Sequence, residues 1–100
     1  MQLRFQRRAI REYQAALRHY DQISPHLGDR FVAAMDEAGK RILSDPTSHP
    51  VERGVFRRVR VRKFPYVMFF CVLSNDIVGV VAVAHTSRRP GYWRRRRFDS

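Results

Sequence analysis

A chain of 100 residues is enough for one domain, with a small core and a thin stability margin. Its formal net charge is +11, from 20 Lys and Arg against nine Asp and Glu, and its one cysteine excludes an intrachain disulfide. The longest apolar run, "FPYVMFFCVL", is about half the ~20 residues of a membrane-spanning helix and contains a proline.

The start of the chain, "MQLRFQRR", has no apolar segment of the secretory kind. Cys71 lies inside an apolar run, as a small core residue would in a reducing compartment. The expectation is a soluble cytoplasmic protein with no membrane partner. The charge is uneven. Residues 1–50 hold eight basic against six acidic residues, and residues 51–100 hold twelve against three. A field of that sign favours an anionic partner: nucleic acid, an acidic protein segment or an anionic surface.

In chain order, Leu3 and Phe5 alternate with polar neighbours and predict a short strand. From Arg8 the period changes. Ile10, Tyr13, Leu17 and Tyr20, with Ala9 and Ala16 beside them, form one apolar stripe on a helix. "SPHLG" interrupts it at Pro25. A second stripe follows at Leu27, Phe31, Ala34, Met35, Ala38 and Ile42, ending in the loop "SDPTSHP". The short link implies an antiparallel helical hairpin.

The second half reads as strands. "VFRRVRVR" alternates, with Val59 and Val61 on one side and Arg58, Arg60 and Arg62 on the other. "PYVMFFCVL" is apolar on both faces, as a central strand would be, with Pro65 where a strand start tolerates it. After the turn "SND", "IVGVVAVA" is again apolar on both faces. The expected architecture is α+β, in the order β-α-α-β-β-β: a short strand, a helical hairpin, then a three-stranded antiparallel sheet. One domain fills residues 1–100, with a basic tail over residues 88–100. The core should set Phe70, Val72, Val81 and Val83 against Leu17, Phe31, Met35 and Ile42.

The candidate chemistry lies in the second half. Arg58, Arg60 and Arg62, with Lys63 next along, read as a phosphate- or carboxylate-binding row on the sheet face away from the helices, or as a solvated face whose stems cover apolar surface. His85, ending the last strand, is a general acid–base candidate or a hydrogen-bonded strand end. Tyr92 and Trp93 can stack on bases while Arg88 and Arg89 hold the backbone, or the rings can fold back onto the sheet edge. Arg94 and Arg95 open a run of four arginines that extends the same basic surface. Four histidines and one cysteine are too dispersed for zinc-ligand spacing, and the five glycines form no phosphate-cradling loop. No metal and no cofactor are expected.

The segments "SPHLGDRF", "DPTSHP", "RKFPYVMFFCV" and "VVAVAHTSRRPGYWRRR", in this order, resemble the RelE/ParE superfamily of bacterial toxins, and most of all its plasmid-stabilisation, ParE-type branch. The resemblance covers nearly the whole chain. It implies the toxin of a type II toxin–antitoxin module, silenced by an antitoxin encoded beside it. ParE-type members bind DNA gyrase and perform no chemistry. RelE-type members cut mRNA on the ribosome with basic residues and often a C-terminal tyrosine. Tyr92 matches that tyrosine, and His85 and Arg88 lie close in sequence, so these three would carry a nuclease reaction. The arginine that opens the central strand in the nuclease branch is replaced here by Tyr66. The reading that follows is a gyrase binder. The alternatives are a ribosome-dependent endoribonuclease and a non-toxic nucleic-acid-binding module.

Overall fold

The computed structural model describes residues 1–98, so the end of the predicted tail, residues 99 and 100, lies outside the described residues. The chain forms β1 (Gln2–Phe5), α1 (Arg7–Ile23), α2 (Pro25–Ser44), a 3-10 turn (Pro46–Ser48), β2 (Val51–Arg53), β3 (Phe56–Val61), β4 (Tyr66–Val72) and β5 (Ile77–His85). The α+β class and the element order from strand through hairpin to sheet are as expected. The sheet is larger. It has five strands in the order β1-β5-β4-β3-β2, not three, and it is mixed. The helical hairpin carries the chain back across the sheet, so β1 pairs in parallel with β5 while the remaining neighbours are antiparallel. Gly54, at φ 56°, turns "VER" back on β3 as a short edge strand that alternation alone did not reveal. β4 occupies the centre, as its two apolar faces predict.

Local signals account for both helices. The Gln6 side chain accepts from the amides of Arg8 and Ala9 and caps α1. Ser24 ends α1 and caps α2 in the same step: its amide bonds back to Tyr20, its hydroxyl accepts from Leu27, and Pro25 takes the first helical position. The predicted interruption is thus a single residue. On α1 the buried face runs through Ala9, Tyr13, Ala16 and Tyr20, and Ile10, expected on the stripe, is turned out and 42% exposed. It lies one residue round from Ala9, about 100° away on the wheel. On α2 the stripe is as read, with Phe31, Met35, Ala38 and Ile42 buried.

The hairpin packs on one face of the sheet. Phe31 is central there, its ring 5.0–5.8 Å from those of Tyr13, Tyr20, Phe64 and Tyr66. Phe70 and Val83 join this core, as expected. Val81 is fully buried, as expected, but in a different cluster, and Val72 is not buried. The β4–β5 register steps from Phe69↔Ala82 to Phe70↔Val80, leaving Val81 as an extra, unpaired residue. This bulge puts Val81 and Ala82 together in a second cluster with Trp93 on the opposite face, while Val78, Val80 and Val83 stay under the helices. Val72, at the end of β4, is exposed.

Removing the Phe31 ring leaves a cavity in the middle of the aromatic cluster. Phe31→Ala should lose about 3–5 kcal/mol in chemical denaturation, a large share of a small domain's stability. An unchanged denaturation midpoint would place the core elsewhere.

Candidate macromolecular interface

β5 is nine residues long, but β1 accompanies only Ile77 to Val80. Beyond Val80 the outer edge of β5 has no strand beside it. Two side chains satisfy its backbone instead. Glu12 of α1 accepts from the Val83 amide at 3.0 Å, and Arg96 donates to the Val81 carbonyl, at the bulge, at 3.2 Å. Glu12 and Arg96 also form a two-pronged ion pair, at 2.7 and 3.0 Å. The Tyr92 hydroxyl donates to the second Glu12 oxygen at 2.5 Å. One carboxylate therefore holds a helix, the last strand and two points of the tail. The pair is largely buried, with side-chain exposures of 16% for Glu12 and 9% for Arg96.

So anchored, the tail crosses the sheet face away from the helices. Trp93 is 2% exposed, stacked on Phe69 at 4.6 Å and edge-on to Phe56 at 5.1 Å. Phe98 lies over Gly79, where a Cβ would come within 2.6 Å of its ring. Trp93, a candidate stacking residue, thus has no free face; it folds back onto the sheet, the alternative its size suggested.

Tyr92 is tied down as well. Its ring lies under the guanidinium of Arg88 at 4.0 Å and that of Arg96 at 5.0 Å. Burial, the hydrogen bond to Glu12 and that carboxylate's charge together push its phenol far above the usual value, outweighing Arg96 and Arg88. The hydroxyl is a fixed donor to Glu12. His85, half-buried at the end of β5, accepts at Nδ1 from the Ser87 amide at 3.0 Å, and the Ser87 hydroxyl is 2.7 Å from the same nitrogen. Its ring stands edge-on to Tyr66, its ladder partner, at 5.2 Å. Burial raises the Tyr66 phenol above its usual value, with a smaller contribution from Tyr20.

The predicted arginine row is shorter than alternation implied. Arg58 and Arg60 project from the outer face of β3, alternating with the buried Val59 and Val61. The strand ends at Val61, so Arg62 falls in the turn, 3.5 Å from Glu37 of α2 on the helix side, and Lys63 takes a left-handed φ of 70°. Arg58 lies beside Glu52 at 3.3 Å. The tail arginines also divide. Arg88 and Arg89 flank a groove of about 250 Å³ whose floor is Val67, Phe69 and Ala84, with Arg58 on its far wall. The Arg94 side chain folds back to the Gly91 carbonyl, while Arg95 turns toward α1. Arg58, His85, Arg88, Arg89, Tyr92 and Trp93 therefore meet around one groove, and Arg60, Arg62, Lys63, Arg94 and Arg95 do not line it. Glu52 lines the groove too, paired with Arg58, so the free positive charge is on the Arg88 and Arg89 side; an apolar floor with that wall fits a polypeptide that carries both apolar and acidic side chains. Among the described residues no cluster of metal-ligating side chains occurs, and no helix is long and apolar enough to cross a membrane.

Glu12 is the residue that sequence reasoning missed. The signal was present: it follows Ala9 by three residues and precedes Ala16 by four, the only acidic residue set into the buried face of α1.

A strand, a helical hairpin and a sheet, in this order, are the arrangement that the resemblance to the RelE/ParE superfamily implied. Within it, the model of the ParE toxin of the type II toxin–antitoxin system parDE matches residues 3–90, and the chain belongs to that family. A solved structure of the chromosomal ParDE toxin–antitoxin system from P. aeruginosa has the same fold. It superposes with a TM-score of 0.71 at 20% identity, covering 85% of this chain and 95% of that one. No curated protein matches the chain.

Replacing Glu12 by Gln leaves the Arg96 charge buried beside a neutral amide. The variant should lose about 3 kcal/mol or more in denaturation, against about 1 kcal/mol for Tyr92→Phe, which removes one donor and leaves the ion pair. Equal losses would demote the ion pair to a minor contact. Burial raises the phenols of Tyr13, Tyr20, Tyr66 and Tyr92 alike. Above pH ~10 the unfolded chain releases phenolic protons that the folded chain keeps, so stability should fall as pH rises past that point. Denaturation midpoints that stay level from neutrality to pH ~11 would contradict these placements.

Proposed function

We propose that this chain is the toxin of a type II toxin–antitoxin pair, that it acts in the cytoplasm, and that it arrests growth by binding DNA gyrase rather than by cutting RNA. Family membership supports the toxin and an antitoxin partner. The observation that favours binding over chemistry is the capture of Tyr92. RNA cleavage by a 2′-hydroxyl needs a proton acceptor, a donor for the leaving oxygen and fixed charge at the phosphate. Tyr92 has its hydroxyl committed to Glu12 and its ring covered by Arg88, and at the start of β4 Tyr66 offers a phenol and no positive charge. A binder needs none of these groups in reactive form. It needs a shaped surface, and the groove beside Arg58 and Arg88 supplies one. The same groove suits an antitoxin segment with apolar and acidic residues, so antitoxin and target would compete for it. Assembly with the antitoxin should be fast and salt-sensitive.

Gyrase supercoiling assays with the purified protein test the reading, beside mRNA integrity in cells that express it. Inhibited supercoiling and intact mRNA are expected. Arg58→Glu with Arg89→Glu, which reverses the groove walls without touching the Glu12 anchor, should reduce inhibition about tenfold or more, a loss of at least ~1.4 kcal/mol of binding. Tyr92→Phe should still inhibit. Uninhibited gyrase together with cleaved mRNA, abolished by Tyr92→Phe in a folded protein, would replace this reading with the ribosome-dependent nuclease.

A further inference from the structure

On the side of the molecule where the tail meets α1, a cleft of about 410 Å³ is lined by Arg7, Arg8 and Arg11 of the helix, Arg95, Arg96 and Arg97 of the tail, and Gln6. The two arginine groups are more than eighty residues apart in sequence, and the Glu12–Arg96 pair brings them together. Among the described residues Arg96 alone of these six has a carboxylate partner. Its own Nε is buried and meets no acceptor among the described residues. Guanidinium groups crowded together with no carboxylate partner among the described residues repel one another, so the surface is at its most favourable with an anion between them. The helix amides do not supply this site, because Gln6 already occupies those of Arg8 and Ala9.

We propose that this cleft is a second binding site, distinct from the groove beside Trp93, and that it takes the phosphate backbone of a nucleic-acid duplex. The lining itself selects the ligand. It is arginine and one glutamine throughout, so an acidic peptide would find charge inside the cleft and apolar contact only beyond its rim, in the neighbouring hollow of Phe5, Ile10 and Phe98. The cleft itself holds no ring for the stacked bases of a single strand, and the Phe98 ring beside it is laid against Gly79. A duplex hides its bases and presents a ridge of phosphates, each matched to the planar fork of an arginine. Contact is therefore indifferent to sequence and strongly salt-dependent. The inference is independent of the target of the groove and holds for a gyrase binder or a nuclease.

The test measures binding of the purified protein to a fluorescent DNA duplex of about 20 base pairs across a salt series, where each phosphate contact contributes about 0.9 to the log–log slope. Arg7→Gln, Arg11→Gln and Arg97→Gln combined should flatten the slope by about 2.7. The control Arg18→Gln, Arg30→Gln and Lys40→Gln removes the same charge from the outer faces of the helices, and should change the slope by no more than about 0.9. Arg7→Lys, Arg11→Lys and Arg97→Lys should keep the steep slope while weakening binding. Circular dichroism shows that each variant is folded. Equal flattening by the two Gln triples would mean diffuse attraction to net charge and would overturn the site. Tighter binding of the matching single strand, or equal displacement of the duplex by poly-glutamate of the same charge, would overturn the assigned ligand. Because no gyrase or ribosome is present, failure here leaves the proposed function standing, and failure of that function leaves this site standing.

Discussion

Half of the last strand runs without a neighbour on its outer side, and how that edge is satisfied governs the rest of the molecule. A buried strand edge with unpaired amides and carbonyls is costly, and an exposed one invites association. Here a carboxylate from α1 takes the Val83 amide and an arginine from the tail takes the Val81 carbonyl. The two then pair with each other. Because one partner comes from residue 12 and the other from residue 96, closing the edge also ties the tail to the hairpin. Trp93 and Phe98 are thereby set on the outer face of the sheet, over the cluster that the bulge at Val81 creates. The groove wall at Arg88 and the arginine cleft at Arg95 to Arg97 both follow from that one anchoring point.

The closing segment of the sequence, aromatic and arginine-rich together, makes sense on these terms. The aromatics belong to the fold, and most of the arginines face outward. Tyr92 and Trp93 are structural residues inside a stretch that otherwise looks like a nucleic-acid-binding tail. Arg96 is structural too, while its neighbours Arg95 and Arg97 line the open cleft. Alternation of roles along a single run of arginines keeps the tail attached and leaves its charge available. A tail held by charge alone would be lost to salt; a tail held by apolar rings alone would carry no field.

How much of this was legible in the sequence divides along one line. Periodic features were readable, because a helix facing a sheet needs its apolar residues at fixed spacing: both helices, the central β4 and the burial of Phe31, Met35 and Ile42 follow from that. Features that depend on pairing between distant segments were not. The parallel partner of β1, the edge strand β2 and the bulge at Val81 leave no periodic trace, and the bulge reversed the expected side of Val81. Alternation over-ran the end of β3, which placed Arg62 on the wrong face. The groove residues Arg58, Arg88 and Arg89 are legible as part of an alternating basic strand and of an aromatic-laced tail, but nothing in either pattern separates them from Arg60 or Arg94. Glu12 left a visible mark as a carboxylate set into an apolar face, but its partners are more than seventy residues away.

The lone tryptophan reports directly on the central claim, that Glu12 holds the tail against the sheet. Fluorescence emission of Glu12→Ala should shift to the red toward that of an exposed indole, with far-ultraviolet circular dichroism unchanged, because the tail lifts while the hairpin and sheet remain. Emission identical to that of the parent protein would show that Trp93 stays buried without the carboxylate, and would contradict the account.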